Sequence, residues 1–232
     1  SFDEYNSLKK LSLEKGIPLS FETNVGAGLP VISTLKNLMS SGDKIHKIEA
    51  VLSGSVSYIF NTYNSSLSFY DVVKEAQEKG FTEPDPREDL SGADVKRKLL
   101  ILARESGYKT ESQDIEIENI LSSDALSANS VEAFFEILEN ENESYFAKIK
   151  SAEKENTRLR FIASFENGKG KISLQCVDSS NPFYGLCGSD NMIVFYSERY
   201  SETPLVIRGP GAGANVTAAG VLSEIILTGS LL

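Results

Sequence analysis

Residues 83–99 read EPDPREDLSGADVKRKL. Four carboxylates, Glu83, Asp85, Glu88 and Asp89, surround two prolines, and a helix carrying Asp94 and Lys98 follows. Pro84 and Pro86 fix their own φ and drive the preceding residues toward extended geometry. The turn is therefore stiff and holds Glu83 and Asp85 at set angles. Ser91 and Asp94 have the spacing of a capping box, with Asp in place of Glu, which predicts a helix from about Ser91 to Glu105, with Gly107 behind it. Asp94 and Lys98 share one helix face. Val95, Leu99 and Leu102 form the adjacent apolar stripe, so the acid and the lysine stand at the edge of a buried seam. Two readings stay open. Carboxylates could bind the ammonium group of a small cationic or zwitterionic molecule while the lysine protonates or polarises a carbonyl. Equally, this is a capped surface helix with an ordinary acid–lysine pair.

Toward the N-terminus, DEYNSLKKLSLEKG has helical spacing and a stop at Gly16, and IPLSFE, residues 17–22, reads as a short strand. TNVGAGLP is a glycine loop, and Pro30 opens the helix VISTLKNLMSSG, with Ile32, Leu35, Leu38 and Met39 on one face. HKIEAVLSG alternates as a strand, and SVSYIFNTYN is a buried helix. Ser68 and Asp71 start a further helix that closes at Gly80.

Toward the C-terminus, VEAFFEILEN is an amphipathic helix, and RLRFIASFENGKGKISLQCV is a hairpin turning at Asn167-Gly168. NMIVFYSERY and PLVIRG are strands, and PGAGANVTAAGVLSEIILTG is a glycine loop feeding a helix. There is no internal repeat and no linker. Mixed helices and strands with late hairpins predict an α+β fold, a mixed or antiparallel sheet covered by helices.

The 232 residues are 41% apolar, enough for a sizeable core in one large domain or two small ones. A net charge of −10 disfavours nucleic acid and anionic membranes as partners, and no apolar run is long enough to span a bilayer. Cys176 and Cys187 are expected to be reduced thiols in a cytoplasmic protein. His46, the single histidine, has no nucleophile motif near it and reads as structural.

The two glycine loops also carry alternatives. In ETNVGAGLP, Gly26 and Gly28 free the backbone to turn carbonyls toward one point, which suits a hard cation, or they simply make a tight turn. GPGAGANVTAAG leads into a helix N-terminus that favours anions, or its small residues serve close packing of the last helix. Gly209, Gly211 and Gly213 fail the dinucleotide fingerprint, because the sixth position is Val216.

EPDPREDLSGADVKRKL, together with ETNVGAGLP, VLSGSVSYIFN and GPGAGANVTAAGV in the same order, resembles the homoserine dehydrogenase family, as found in bifunctional aspartokinase–homoserine dehydrogenases. The likeness covers nearly the whole chain. It implies NAD(P)H-dependent reduction of aspartate 4-semialdehyde to homoserine, on the branch to threonine and methionine, with NADP or NAD as cofactor. It implies Lys98 as the proton-transfer residue beside Asp94, and Glu83, Asp89, Asp94 and Ser55 as substrate contacts. It also implies a monovalent cation, sodium, held by Glu22 and the main chain of Val25, Ala27 and Leu29, and cofactor contact at Gly213. On this resemblance the chain is a fragment: residues 1–205 form the catalytic and dimerisation domain, and 206–232 return to a nucleotide-binding domain that the chain lacks. The fragment is expected to be inactive alone. A homodimer or higher homo-oligomer is expected, with residues 45–52 and 192–197 available to pair across subunits through the sheet. Phe81 stands where the family often has tyrosine, and Ser55 where some members have threonine. The competing class is a non-catalytic amino-acid-binding or regulatory module, which would gain nothing from a lysine beside its acids.

Overall fold

The computed structural model describes residues 1–230. Helix α1 (Phe2–Lys15) is capped by Ser1 and ended by Gly16 in the left-handed region, yet it buries no residue. It is fastened by polar contacts: the Tyr5 hydroxyl and the Lys9 ammonium, at 3.1 Å, both reach the buried carboxylate of Glu105. The strand expected at 17–22 does not form. Ile17–Phe21 are irregular and Glu22–Asn24 make one 3-10 turn. Ile17 and Leu19 remain exposed, so the apolar alternation there buries nothing.

Helix α2 (Val31–Ser40) and strand β1 (Ile45–Val51) follow, then α3 (Gly54–Thr62), capped by Ser53, and α4 (Phe69–Glu78), capped by Ser68. The acidic turn contains a helix the sequence reading missed. Asp85 caps α5 (Pro86–Leu90), with Pro86 in the first turn where its missing N–H costs nothing. Helix α6 (Ala93–Glu105) starts at Gly92 in the left-handed region, not at the expected Ser91/Asp94 capping box. Only glycine suits that position, because a methyl there would also lie 3.0 Å from the Phe161 ring.

The remaining elements are β2 (Ile115–Ile117), α7 (Ser123–Leu126), α8 (Val131–Asn140), α9 (Asn142–Lys154), β3 (Arg158–Glu166), β4 (Lys169–Val177), β5 (Asp190–Ser197), β6 (Leu205–Pro210) and α10 (Ala214–Gly229). The Asn167-Gly168 turn joins β3 to β4 as expected, both residues at positive φ.

Among the described residues, six strands form one mixed sheet ordered β2-β4-β3-β1-β5-β6, in which only the β2–β4 pair is parallel. On one face Ile48, Ala50, Phe161, Phe165 and Phe195 join the apolar sides of α3, α4, α6 and α8 in the main core. A smaller cluster on Val51, Ile162 and Val194 is covered by Phe183 and Leu186.

The sheet corrects the expected mode of dimer pairing. β1 already pairs with β3 and β5, and β5 pairs with β1 and β6, so neither has a free edge for a second subunit. The division expected after residue 205 falls inside β6, which pairs with β5 over its six residues. Beyond it, α10 packs on the loop around Gly28. A methyl at Gly28 would lie 2.4 Å from the Val216 carbonyl, and one at Gly220 would lie 2.7 Å from Thr23 Cγ2. Among the described residues, no helix is long and apolar enough to cross a membrane, and both cysteines are free.

Candidate active site

Helix α6 is placed by its apolar stripe. Val95, Leu99, Leu102 and Ala103 are buried, each large side chain stabilising the fold by about 1.5–3 kcal/mol. That anchorage fixes Lys98, whose side chain is one-fifth exposed. Its ammonium lies 2.8 Å from Asp94 Oδ2 and donates to the Leu52 carbonyl at 3.0 Å. Two of its three N–H donors are thus engaged and held in direction. Asp94 is half exposed and also faces Arg97 at 3.7 Å.

Lys98 opens onto a cavity of about 570 Å³. Ser55, Glu83, Asp89, Asp94 and Gly213, all singled out from the sequence, line it with Lys98. Glu88 and Arg97 contribute as well, so four carboxylates face two cations around the wall. Such a wall favours a ligand carrying an ammonium group.

Asp89 is the hinge of this wall. Its Oδ1 accepts the Ser55 hydroxyl at 2.6 Å, and its Oδ2 accepts the Glu83 backbone N–H at 2.9 Å. One carboxylate therefore ties α3, the proline turn and α5 together. Ser53, which caps α3, lies 2.9 Å from the Ser55 hydroxyl and extends the network. Asp85 points elsewhere. Its carboxylate pairs with Arg87, which holds it below the ordinary carboxylate range. Phe81 lines the cavity and stacks on Tyr58, with ring centroids 4.0 Å apart.

The homoserine dehydrogenase family profile matches residues 30–226. The chain belongs to the homoserine dehydrogenase family. It is 43% identical to the chloroplastic bifunctional aspartokinase/homoserine dehydrogenase 2 of Zea mays, over 99% of this chain and 25% of that protein. It is 44% identical to the homoserine dehydrogenase of Schizosaccharomyces pombe, over 97% of this chain and 62% of that one. A hyperthermophilic archaeal homoserine dehydrogenase mutant solved in complex with NADPH superposes with a TM-score of 0.74 at 27% identity, covering 100% of this chain and 61% of the other. The chain thus spans between a quarter and about three-fifths of the relatives it matches.

The residues picked out for a cation lie elsewhere in the chain. The Glu22 carboxylate accepts the backbone N–H groups of Ile32 at 2.6 Å and Ser33 at 2.8 Å, and so caps α2. The Leu29 carbonyl accepts from Val31, whereas the Val25 and Ala27 carbonyls accept no hydrogen bond among the described residues. Ala27 sits at positive φ beside Gly26. No group of three or more His, Cys, Asp or Glu side chains arranged for a metal occurs among the described residues.

Sequence reasoning missed Ser189, Gly54, Gly211 and Ala212 as cavity residues. Ser189 and Gly54 meet because the Ser57 hydroxyl donates to the Asp190 carbonyl and the Asn61 amide to the Gly188 carbonyl, pinning the start of β5 to α3. No local pattern announces a contact between residues more than 120 positions apart. The glycine loop before α10 was the one available signal.

Proposed function

We propose that this chain carries the catalytic portion of an NAD(P)H-dependent homoserine dehydrogenase, reducing L-aspartate 4-semialdehyde to L-homoserine in threonine and methionine biosynthesis. The observation that carries the reading is Lys98: a lysine clamped by Asp94 and the Leu52 carbonyl on the wall of a cavity rich in carboxylates.

The α-ammonium of the semialdehyde is bound by Glu83 and the acids beside it, with Asp89 keeping Glu83 and Ser55 in place. The remaining N–H of Lys98 donates a proton to the aldehyde oxygen as carbon is reduced, directly or through one water. A bound nicotinamide cofactor supplies the hydride. The wall offered by Gly211, Ala212 and Gly213 carries nothing larger than a methyl group, which fits the close approach of a flat ring. Asp94, 2.8 Å away, keeps Lys98 aimed. The exposed part of Lys98 lets it regain its proton from solvent after each turnover.

In this reading the cavity works together with a nucleotide-binding domain. A sodium ion would sit against Glu22 and the carbonyls of Val25, Ala27 and Leu29. The two unengaged carbonyls and the single carboxylate fit a monovalent charge. The active unit is a homodimer or higher homo-oligomer in the cytoplasm.

The test is Lys98→Ala in the enzyme carrying both domains. Loss of a positioned general acid lowers kcat about 10²–10⁴-fold, while the KM for semialdehyde changes little. A variant with near-normal kcat sinks the assignment.

A further inference from the structure

Asn191, the second residue of β5, is fully buried, and neither its amide nitrogen nor its amide oxygen has a hydrogen-bond partner among the described residues. Burying an unpaired amide opposes folding, and a group kept in that state calls for a physical reason.

Its neighbours supply one. Asn191 pairs with Gly209 on β6, and two residues later the chain passes over its side chain. A methyl at Gly211 would lie 2.0 Å from Asn191 Cγ and 2.1 Å from Nδ2, so the Gly211 backbone rests directly on the amide. Gly211, Ala212 and Gly213 are the flat wall of the cavity that Lys98 also lines. Beneath, the start of β5 is held to α3 by Ser57 and Asn61. Above, the Gly211 carbonyl and the N–H and carbonyl of Ala212 make no hydrogen bond outside the helices and strands among the described residues. A fixed base thus carries an unspent donor and acceptor, and the chain lying on it has unspent peptide groups.

We propose that Asn191 is a positioning residue for this wall: its amide pairs with the backbone of residues 211–212 when a nicotinamide nucleotide engages the cavity. The inference rests on the function proposed above. It assigns Asn191 no contact with the cofactor or the substrate. The amide opposes the free state and favours the bound one, so part of the nucleotide affinity is stored under the loop.

The measurement is NADPH affinity by calorimetry, with heat stability of the ligand-free enzyme, on the polypeptide carrying both domains. Asn191→Leu keeps the branched shape and removes the polar atoms. Its ligand-free form is expected to be at least as heat-stable as the parent, while the Kd for NADPH rises on the order of tenfold to a hundredfold. An unchanged Kd overturns the proposal. Should Asn191→Leu fail to fold, the pair Asn191→Ala with Gly211→Ala fills the space without an amide. Weakened NADPH binding by that pair supports the proposal, and parental affinity overturns it. Failure of the unaltered enzyme to bind NADPH overturns the reading of the cavity itself, and this inference with it.

Discussion

The Ser55 hydroxyl donates to Asp89 Oδ1 at 2.6 Å, across 34 residues of sequence. Through that one bond the helix after β1 is joined to the helix of the proline turn. Ser55→Ala strips a donor from a carboxylate, a loss of about 1.5–3 kcal/mol by the usual worth of a hydrogen bond to a charged group. The expected outcome is a lower denaturation midpoint and a raised KM for semialdehyde, with kcat falling less. Ser55→Thr, which keeps the hydroxyl, is expected to restore both.

Glu22 is predicted to be worth stability whether or not a cation binds, because its oxygens cap α2. Glu22→Gln keeps an acceptor but loses the charge at the helix N-terminus, and is expected to cost about 0.5–2 kcal/mol. The cation is tested separately. Replacing sodium by choline should lower the melting temperature of the parent but leave that of Glu22→Gln unmoved. An equal shift in both removes Glu22 from a cation site.

Gly28→Ala puts a methyl 2.4 Å from the Val216 carbonyl, a backbone atom that cannot turn aside. Overpacking of this kind costs about 1–3 kcal/mol. The expected result is local: amide exchange in residues 214–229 speeds up while that of β1, β3 and β5 stays slow. Uniform acceleration over the sheet would contradict the picture of α10 as a docked element.

Asp43 gives a pH prediction. Burial pushes its carboxyl up, but the Ser197 hydroxyl at 2.7 Å, the N–H groups of Arg199 and Lys44 and the Arg199 charge outweigh that, leaving it below the ordinary carboxylate value. A carboxylate so lowered contributes stability above its unfolded pKa, about 3.9, and loses it as pH falls through the folded value. Asp43→Asn is therefore expected to destabilise the protein at neutral pH and to flatten the loss of stability below about pH 4. An acid-unfolding curve with unchanged slope would remove Asp43 as a contributor.

The site was readable where chemistry and geometry are local. Asp94 and Lys98 meet because a helix brings residues four apart together, and Pro84 and Pro86 announced the stiff turn. What failed was set by tertiary context. Residues 17–22 have strand-like alternation, but no sheet edge receives them. The start of α6 is decided by Phe161, which presses on Gly92 from a strand some 70 residues away. The strands at 45–52 and 192–197 looked available because a sequence shows alternation but not neighbours. Glu22 was marked by the family resemblance, whereas its helix-capping role depends on where the chain turns.

The contact of Gly28 with the backbone of α10 has a consequence for protein engineering. Segments near the two ends of the chain fit each other with no room for a side chain. A chimera that exchanges residues 20–30 between relatives must exchange 212–229 with them, or the graft will clash at a seam far from either cut.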